Sequence, residues 1–154
     1  MRIYRRILLA STLAASLFAG ATVHASQLEQ IKKKGELVVG ILGTDEPNSF
    51  IDPKTREYIG YEVDLAKEVA AKMGVKPVFK QVAVAARIPE LQQGRIDMLA
   101  ASLTHNKERE AQIDFSLTHL LTGSKVMVKK SSNITDVKQL AGKKALTVKG
   151  GTQG

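Results

Sequence analysis

Ser102, Thr104 and Arg109 share one short segment, Ala-Ser-Leu-Thr-His-Asn-Lys-Glu-Arg, between Ala101 and Arg109. A guanidinium presents a planar fork of donors that matches the two oxygens of a carboxylate, and nearby hydroxyls can donate to or accept from the same group. The apolar run from Ile96 to Ala101 ahead of them has the length and composition of a buried strand, and a helical pattern begins near Asn106 or Lys107. The first amides of a helix lack intrahelical acceptors and carry partial positive charge, so a strand-to-helix corner bearing Arg109 predicts a site for an anion. The same spacing also fits a plain cap, with Thr104 or Asn106 closing the helix start and Arg109 solvated beside Glu108 or Glu110.

Other elements must bring partners to that corner. Leu37 to Leu42 is a continuous apolar run between Gly35 and Gly43, as expected of a buried parallel strand. Ligands of parallel α/β sheets settle at the carboxyl ends of strands, which places Thr44, Asp45 and Phe50 of the following loop where a ligand is met. Asp45 can pair with an ammonium group, or it can be a turn residue bonded to its own backbone. Asp52 to Gly60 reads as a polar, hairpin-like excursion. A helix is predicted from Val63 to Met73, with Leu65, Val69 and Met73 at four-residue spacing, Glu62 and Asp64 at its amino end in no catalytic role, and Gly74 as its left-handed terminator. Val78 to Val84 reads as a second strand. Arg87 then opens a short helix to Gly94, placed either to face the same cleft as Arg109 or to lie exposed beside a loop. Val126 to Val128 and Lys144 to Val148 are further strand candidates, with a small helix between Ile134 and Gly142.

The chain has 154 residues, enough for one ordinary domain, and no cysteine, which excludes disulfides, thiol catalysis, cysteine zinc sites and a lipid-modified cysteine anchor. Residues 1–25 carry a basic start, an apolar run from Ile7 to about Gly20 and Val23-His24-Ala25, the pattern of a secretory signal peptide cleaved after Ala25. Its loss with Arg2, Arg5 and Arg6 takes the 23 basic residues to 20 against 15 acidic ones, a net charge of +5 in place of +8. Scattered lysines and few aromatics offer neither a stacking platform nor a basic stripe, so nucleic acid is not an expected partner. His24, His105 and His119 share no metal-ligand spacing, and no nucleophile motif, phosphate loop or paired carboxylates with a task are present. No catalytic residue, metal or cofactor is assigned. The stretch from Ser26 to Lys34 is short and amphipathic, with Leu28 and Ile31 on one side, and its lysine run before Gly35 reads as a solvated helix end.

Several ordered motifs carry a resemblance: Gly60-Tyr-Glu-Val-Asp-Leu-Ala, Ile88-Pro-Glu-Leu-Gln-Gln-Gly, Gly94-Arg-Ile-Asp-Met-Leu-Ala-Ala-Ser-Leu-Thr through Arg109, Ile113-Asp-Phe-Ser and Gly150-Gly-Thr. From about Gly35 to its end the chain resembles the bacterial periplasmic solute-binding proteins for polar amino acids, the receptors of ABC importers. The resemblance implies an α/β, periplasmic-binding-protein type II fold, with lobe one nearly complete over residues 26–122 and lobe two only begun over 123–154. It implies that Arg109 grips the ligand carboxylate, that Ser102 and Thr104 bind the head group, and that the first loop, with Asp45, is used. Arg87 matches an arginine that holds an acidic side chain in a glutamate/aspartate branch, and Thr152 matches a threonine that touches the carboxylate from lobe two. Against an acidic ligand, the first loop has no Lys or Arg between Val38 and Pro53. Separately, the Pro-Tyr pair usual after the Phe-Ser is replaced by Leu117-Thr-His-Leu-Leu, a departure that concerns the local shape there. The expected role is a monomeric, periplasmic amino-acid receptor serving a membrane ABC permease, as a fragment or a truncated product. The alternatives are a cyclohexadienyl or arogenate dehydratase on the same scaffold, and a sensor domain.

Overall fold

The computed structural model describes residues 26–153. The predicted signal peptide and its cleavage point lie outside the described residues. Residues 31–154 form one compact unit, distinct from the residues before them.

Strand β1, Glu36–Ile41, is the centre of a parallel sheet in the order β5, β1, β6, where β5 is Lys76–Gln81 and β6 is Met98–Leu99. Its register runs from Glu36 opposite Lys76 to Ile41 opposite Gln81 on one side, and sets Val39 opposite Met98 on the other. Paired on both edges, β1 is apolar on both faces, and Leu37, Val39 and Ile41 are buried. Strand β5 pairs on one edge only, which is why Pro77 is tolerated in it and Val78 stays exposed.

Helix α1, Gln27–Lys34, contributes Ile31 to the core, whereas Leu28 is exposed and does not share its fate. Helix α2, Tyr61–Met73, crosses from the first strand to the second and packs Val63, Ala66 and Ala70 against β1. It starts two residues before the predicted Val63 and ends at Gly74 in the left-handed conformation, whose amide returns to the last carbonyls. Between β1 and α2 the expected loop is more ordered than the sequence suggests. Strands β2, Thr44–Asp45, β3, Ser49–Ile51, and β4, Tyr58–Ile59, form a small antiparallel sheet, with Asp52 and Thr55 bracing the turn between the last two.

A 3-10 turn at Val84–Ala86 leads into helix α3, Arg87–Gln92, and the apolar run after it gives only the two-residue β6. Helix α4, Lys107–Glu110, is a single turn. Neither Val126 to Val128 nor Lys144 to Val148 is a strand. Among the described residues no strand lies beside either segment, and an unpaired strand has no acceptor for its backbone donors. The expected small helix is reduced to a 3-10 turn, Val137–Leu140, with Asp136 and Gln139 forming a capping box. No described helix is long and apolar enough to cross a membrane.

Candidate functional site

The carboxyl ends of β1, β5 and β6 open into three loops, and these carry Asp45, Arg87 and the Ser102 to Arg109 segment. Arg87 is buried, with 4% of its surface exposed, so the exposed alternative fails. Its Nε donates to the Val84 carbonyl at 2.9 Å, its Nη1 to the Ala101 and Ser102 carbonyls at 2.7 and 3.0 Å, and its Nη2 to the Gly150 carbonyl at 2.9 Å. Burial is the main cause that lowers its pKa, with the charge of Arg109 second, while Glu62 and Asp45 oppose both. A guanidinium keeps its charge through such a shift.

Arg109 is half-buried and points back at its own turn. Its Nη1 donates to the Thr104 carbonyl at 2.8 Å and its Nη2 to the Gly150 carbonyl at 2.9 Å. Two cations therefore meet on one carbonyl oxygen. Gly150 reaches that place because it lacks a side chain: its φ is +86°, and a Cβ there would lie 2.8 Å from the Ala85 Cα. The predicted helix-start site needs correction. With four residues α4 has almost no macrodipole, and Asn106 caps it by accepting the Arg109 amide at 2.9 Å. The positive charge at this corner comes from the pair of guanidiniums rather than from the helix. Nor does Arg109 pair with Glu108 or Glu110; Glu110 lies 3.4 Å from His105.

Ser102 joins this cationic corner to an acidic one. Its carbonyl accepts from Arg87, while its hydroxyl donates to Asp45 Oδ2 at 2.5 Å and its amide to Glu62 Oε1 at 2.6 Å. Asn48 Nδ2 donates to the same Asp45 oxygen at 3.1 Å. Asp45 is thus more than a turn residue bonded to its own backbone. Burial pushes the Glu62 carboxyl above its ordinary value, against the Ser102 hydrogen bonds that favour its charge.

A cavity of about 400 Å³ lies against the cationic corner, lined among others by Ala85, Arg87, Asn106, Arg109, Gly150 and Thr152. Of the residues singled out in the sequence, Arg87, Arg109 and Thr152 line this cavity; Thr104 reaches it through its carbonyl bond to Arg109; Ser102 and Asp45 stand on the far side of the Ser102 peptide. Glu62 and the Gly150 carbonyl were not anticipated. A carboxylate in the first turn of a helix has a sufficient explanation in the dipole, and a backbone oxygen leaves no mark in a sequence.

The arrangement can hold a zwitterion: guanidinium donors at one end, carboxylate acceptors at the other, and Ser102 between them. Residues 37–151 match the family described as bacterial extracellular solute-binding proteins, family 3. A glutamine-binding protein of Geobacillus stearothermophilus is 37% identical over 129 residues, covering 81% of this chain and 49% of the relative. An ancestral amino acid-binding protein described as a precursor of cyclohexadienyl dehydratase superposes with a TM-score of 0.60 at 37% identity, over 62% of this chain and 41% of that one. Domain 1 of TmArgBP in its arginine-bound form superposes with a TM-score of 0.51 at 33% identity, over 53% of this chain and 64% of that one. The chain spans about half the length of the curated relatives it matches. With a parallel α/β core, a polar cluster at its strand ends and a family match over most of its length, this chain belongs to the family 3 bacterial extracellular solute-binding proteins.

Proposed function

We propose that the protein is the amino-acid-binding component of an ABC importer, working outside the cytoplasm. The observation that carries this reading is the convergence of Arg87 and Arg109 on one oxygen, each at 2.9 Å, one peptide away from the Asp45 and Ser102 pair. In this reading the ligand carboxylate displaces the Gly150 carbonyl and takes the donors of Arg109, with the hydroxyl of Thr104 beside it. Its ammonium group meets Asp45 and Ser102, and Thr152 closes on the carboxylate from the opposite side. Arg87, spent on four carbonyls, holds the loops in place and lends charge more than donors.

Residues 26–122 form lobe one in this proposal, and residues 123–154 begin lobe two. Leu117, Leu121, Met127 and Leu146 are each about nine-tenths or more exposed, as apolar side chains awaiting a covering layer would be. Closure of two lobes gives the ligand a higher affinity for the closed state, which a membrane permease then reads. The glutamine-binding relative and the arginine-bound domain support a polar amino acid as ligand. We place the mature protein in the periplasm as a monomer.

Calorimetric titration with the twenty amino acids, run beside an assay of prephenate turnover, tests the reading. Heat of binding without turnover is the expected result. Turnover without amino-acid binding would favour a dehydratase, the activity to which one structural neighbour is described as a precursor.

A further inference from the structure

Glu62 has a place in the site that its position in the first turn of α2 does not suggest. It is 5% exposed, its amide donates to the Asn48 carbonyl of the first loop at 2.8 Å, and its Oε1 receives the amide of Ser102, in the third loop, at 2.6 Å. One residue thus ties together the two loops that carry Asp45 and Ser102. Ser102 needs the tie. Its φ is +49°, a left-handed conformation that costs a residue with a side chain roughly 1 kcal/mol or more and persists only where neighbours over-determine it. A charged acceptor for its amide supplies that constraint, and it leaves the hydroxyl aimed at Asp45, 2.5 Å away.

We propose that Glu62 is a positioning residue of the binding site: its buried carboxylate fixes the turn at Ser102, and through that turn the Ser102 and Asp45 pair, without touching the bound amino acid. The proposal rests on the amino-acid-binding reading above. Charge, not packing, is what the position requires. Glu62 Oε2 is buried without a hydrogen-bond partner, so the carboxylate is held at a cost that stability alone does not explain.

The groups that face it are Ser102 and Asp45 from the loops, His119 from the segment after Ser116, and Arg87 across the Ser102 peptide. Burial raises the Glu62 pKa most, Asp45 raises it further, and the Ser102 bonds and His119 lower it. A raised carboxyl pKa means that the folded protein binds the proton more tightly than the unfolded chain. The ionised form is then a burden on stability above the folded pKa, and the burden lifts as the pH falls through it. Loss of the charge should spare the fold and weaken the site.

Two measurements on residues 26–154 decide the matter. In the native chain the Ser102 amide resonance is expected to titrate with a midpoint above the ordinary carboxyl value, and to be flat in Glu62→Gln. Titration with L-glutamine, L-glutamate and L-arginine at pH 7 is expected to show about tenfold weaker binding by Glu62→Gln of whichever binds the native chain, with melting temperature unchanged or higher. The difference in affinity should shrink as the pH falls through the raised Glu62 pKa, below which both side chains are neutral. A Ser102 amide indifferent to pH in the native chain, equal affinities, or an affinity loss matched by loss of fold would overturn the proposal. If none of the twenty amino acids binds either protein, the receptor reading fails, and the Ser102 titration still decides whether Glu62 sets the turn.

Discussion

Arg87 and Arg109 look alike in sequence, each just past a strand and next to a helix, yet they do different work. Arg87 is buried and satisfies four backbone carbonyls from three segments, so it is an internal brace whose charge happens to face the site. Arg87→Ala strands those carbonyls without donors and should cost about 3 kcal/mol or more of stability, read by denaturant titration. Arg87→Lys should recover little of it, because an ammonium group cannot span the fork. The polar residues of the proposed site could be named one by one from chemistry and resemblance. Legibility failed where the structure rests on a relation between residues. Nothing in the sequence shows that Arg87 would be spent on main-chain oxygens, or that Glu62 would reach the Ser102 amide across an interval of forty residues.

At the scale of elements, the hydrophobic runs and glycine stops located β1, α2, β5 and α3, since each is set by local patterning that packing then confirms. The strands proposed at Val126 and at Lys144 failed because a strand is defined by its neighbour as much as by its own residues. Helix α3 illustrates how a short element is held. Its Glu90 accepts from Lys80 Nζ on β5 at 2.9 Å and from Arg95 at 2.7 and 2.9 Å, which ties the helix to the strand before it and to the segment after it. Those cations, Arg95 first, hold the Glu90 pKa down from 4.5 to about 2. A depressed carboxyl pKa contributes stability that is fully present above 4.5 and is lost as the pH falls toward about 2. The stability difference between the native chain and Glu90→Gln should therefore be constant above that upper value and vanish below the lower one. A difference that persists in strong acid would place its origin in packing.

For the whole molecule, the contrast between its two halves is the main fact. The core of Leu37, Val39, Ile41, Val63, Ala66 and Ala70 is closed, while Leu117, Leu121, Met127 and Leu146 stand 92%, 90%, 97% and 102% exposed. The chain should bind a hydrophobic dye at neutral pH, and replacing Leu117, Leu121 and Met127 by serine should remove most of that binding while changing stability by about 0.5 kcal/mol or less. The central claim concerns Arg109, which is aimed by the Thr104 carbonyl at a place where an acceptor oxygen already sits. Its most direct test is calorimetric titration of the native chain and of Arg109→Ala with L-glutamine, L-glutamate and L-arginine. The account predicts saturable heat from the native chain with at least one of them, and at least a hundredfold weaker binding by the variant, about 3 kcal/mol. Identical isotherms for the two proteins would contradict it.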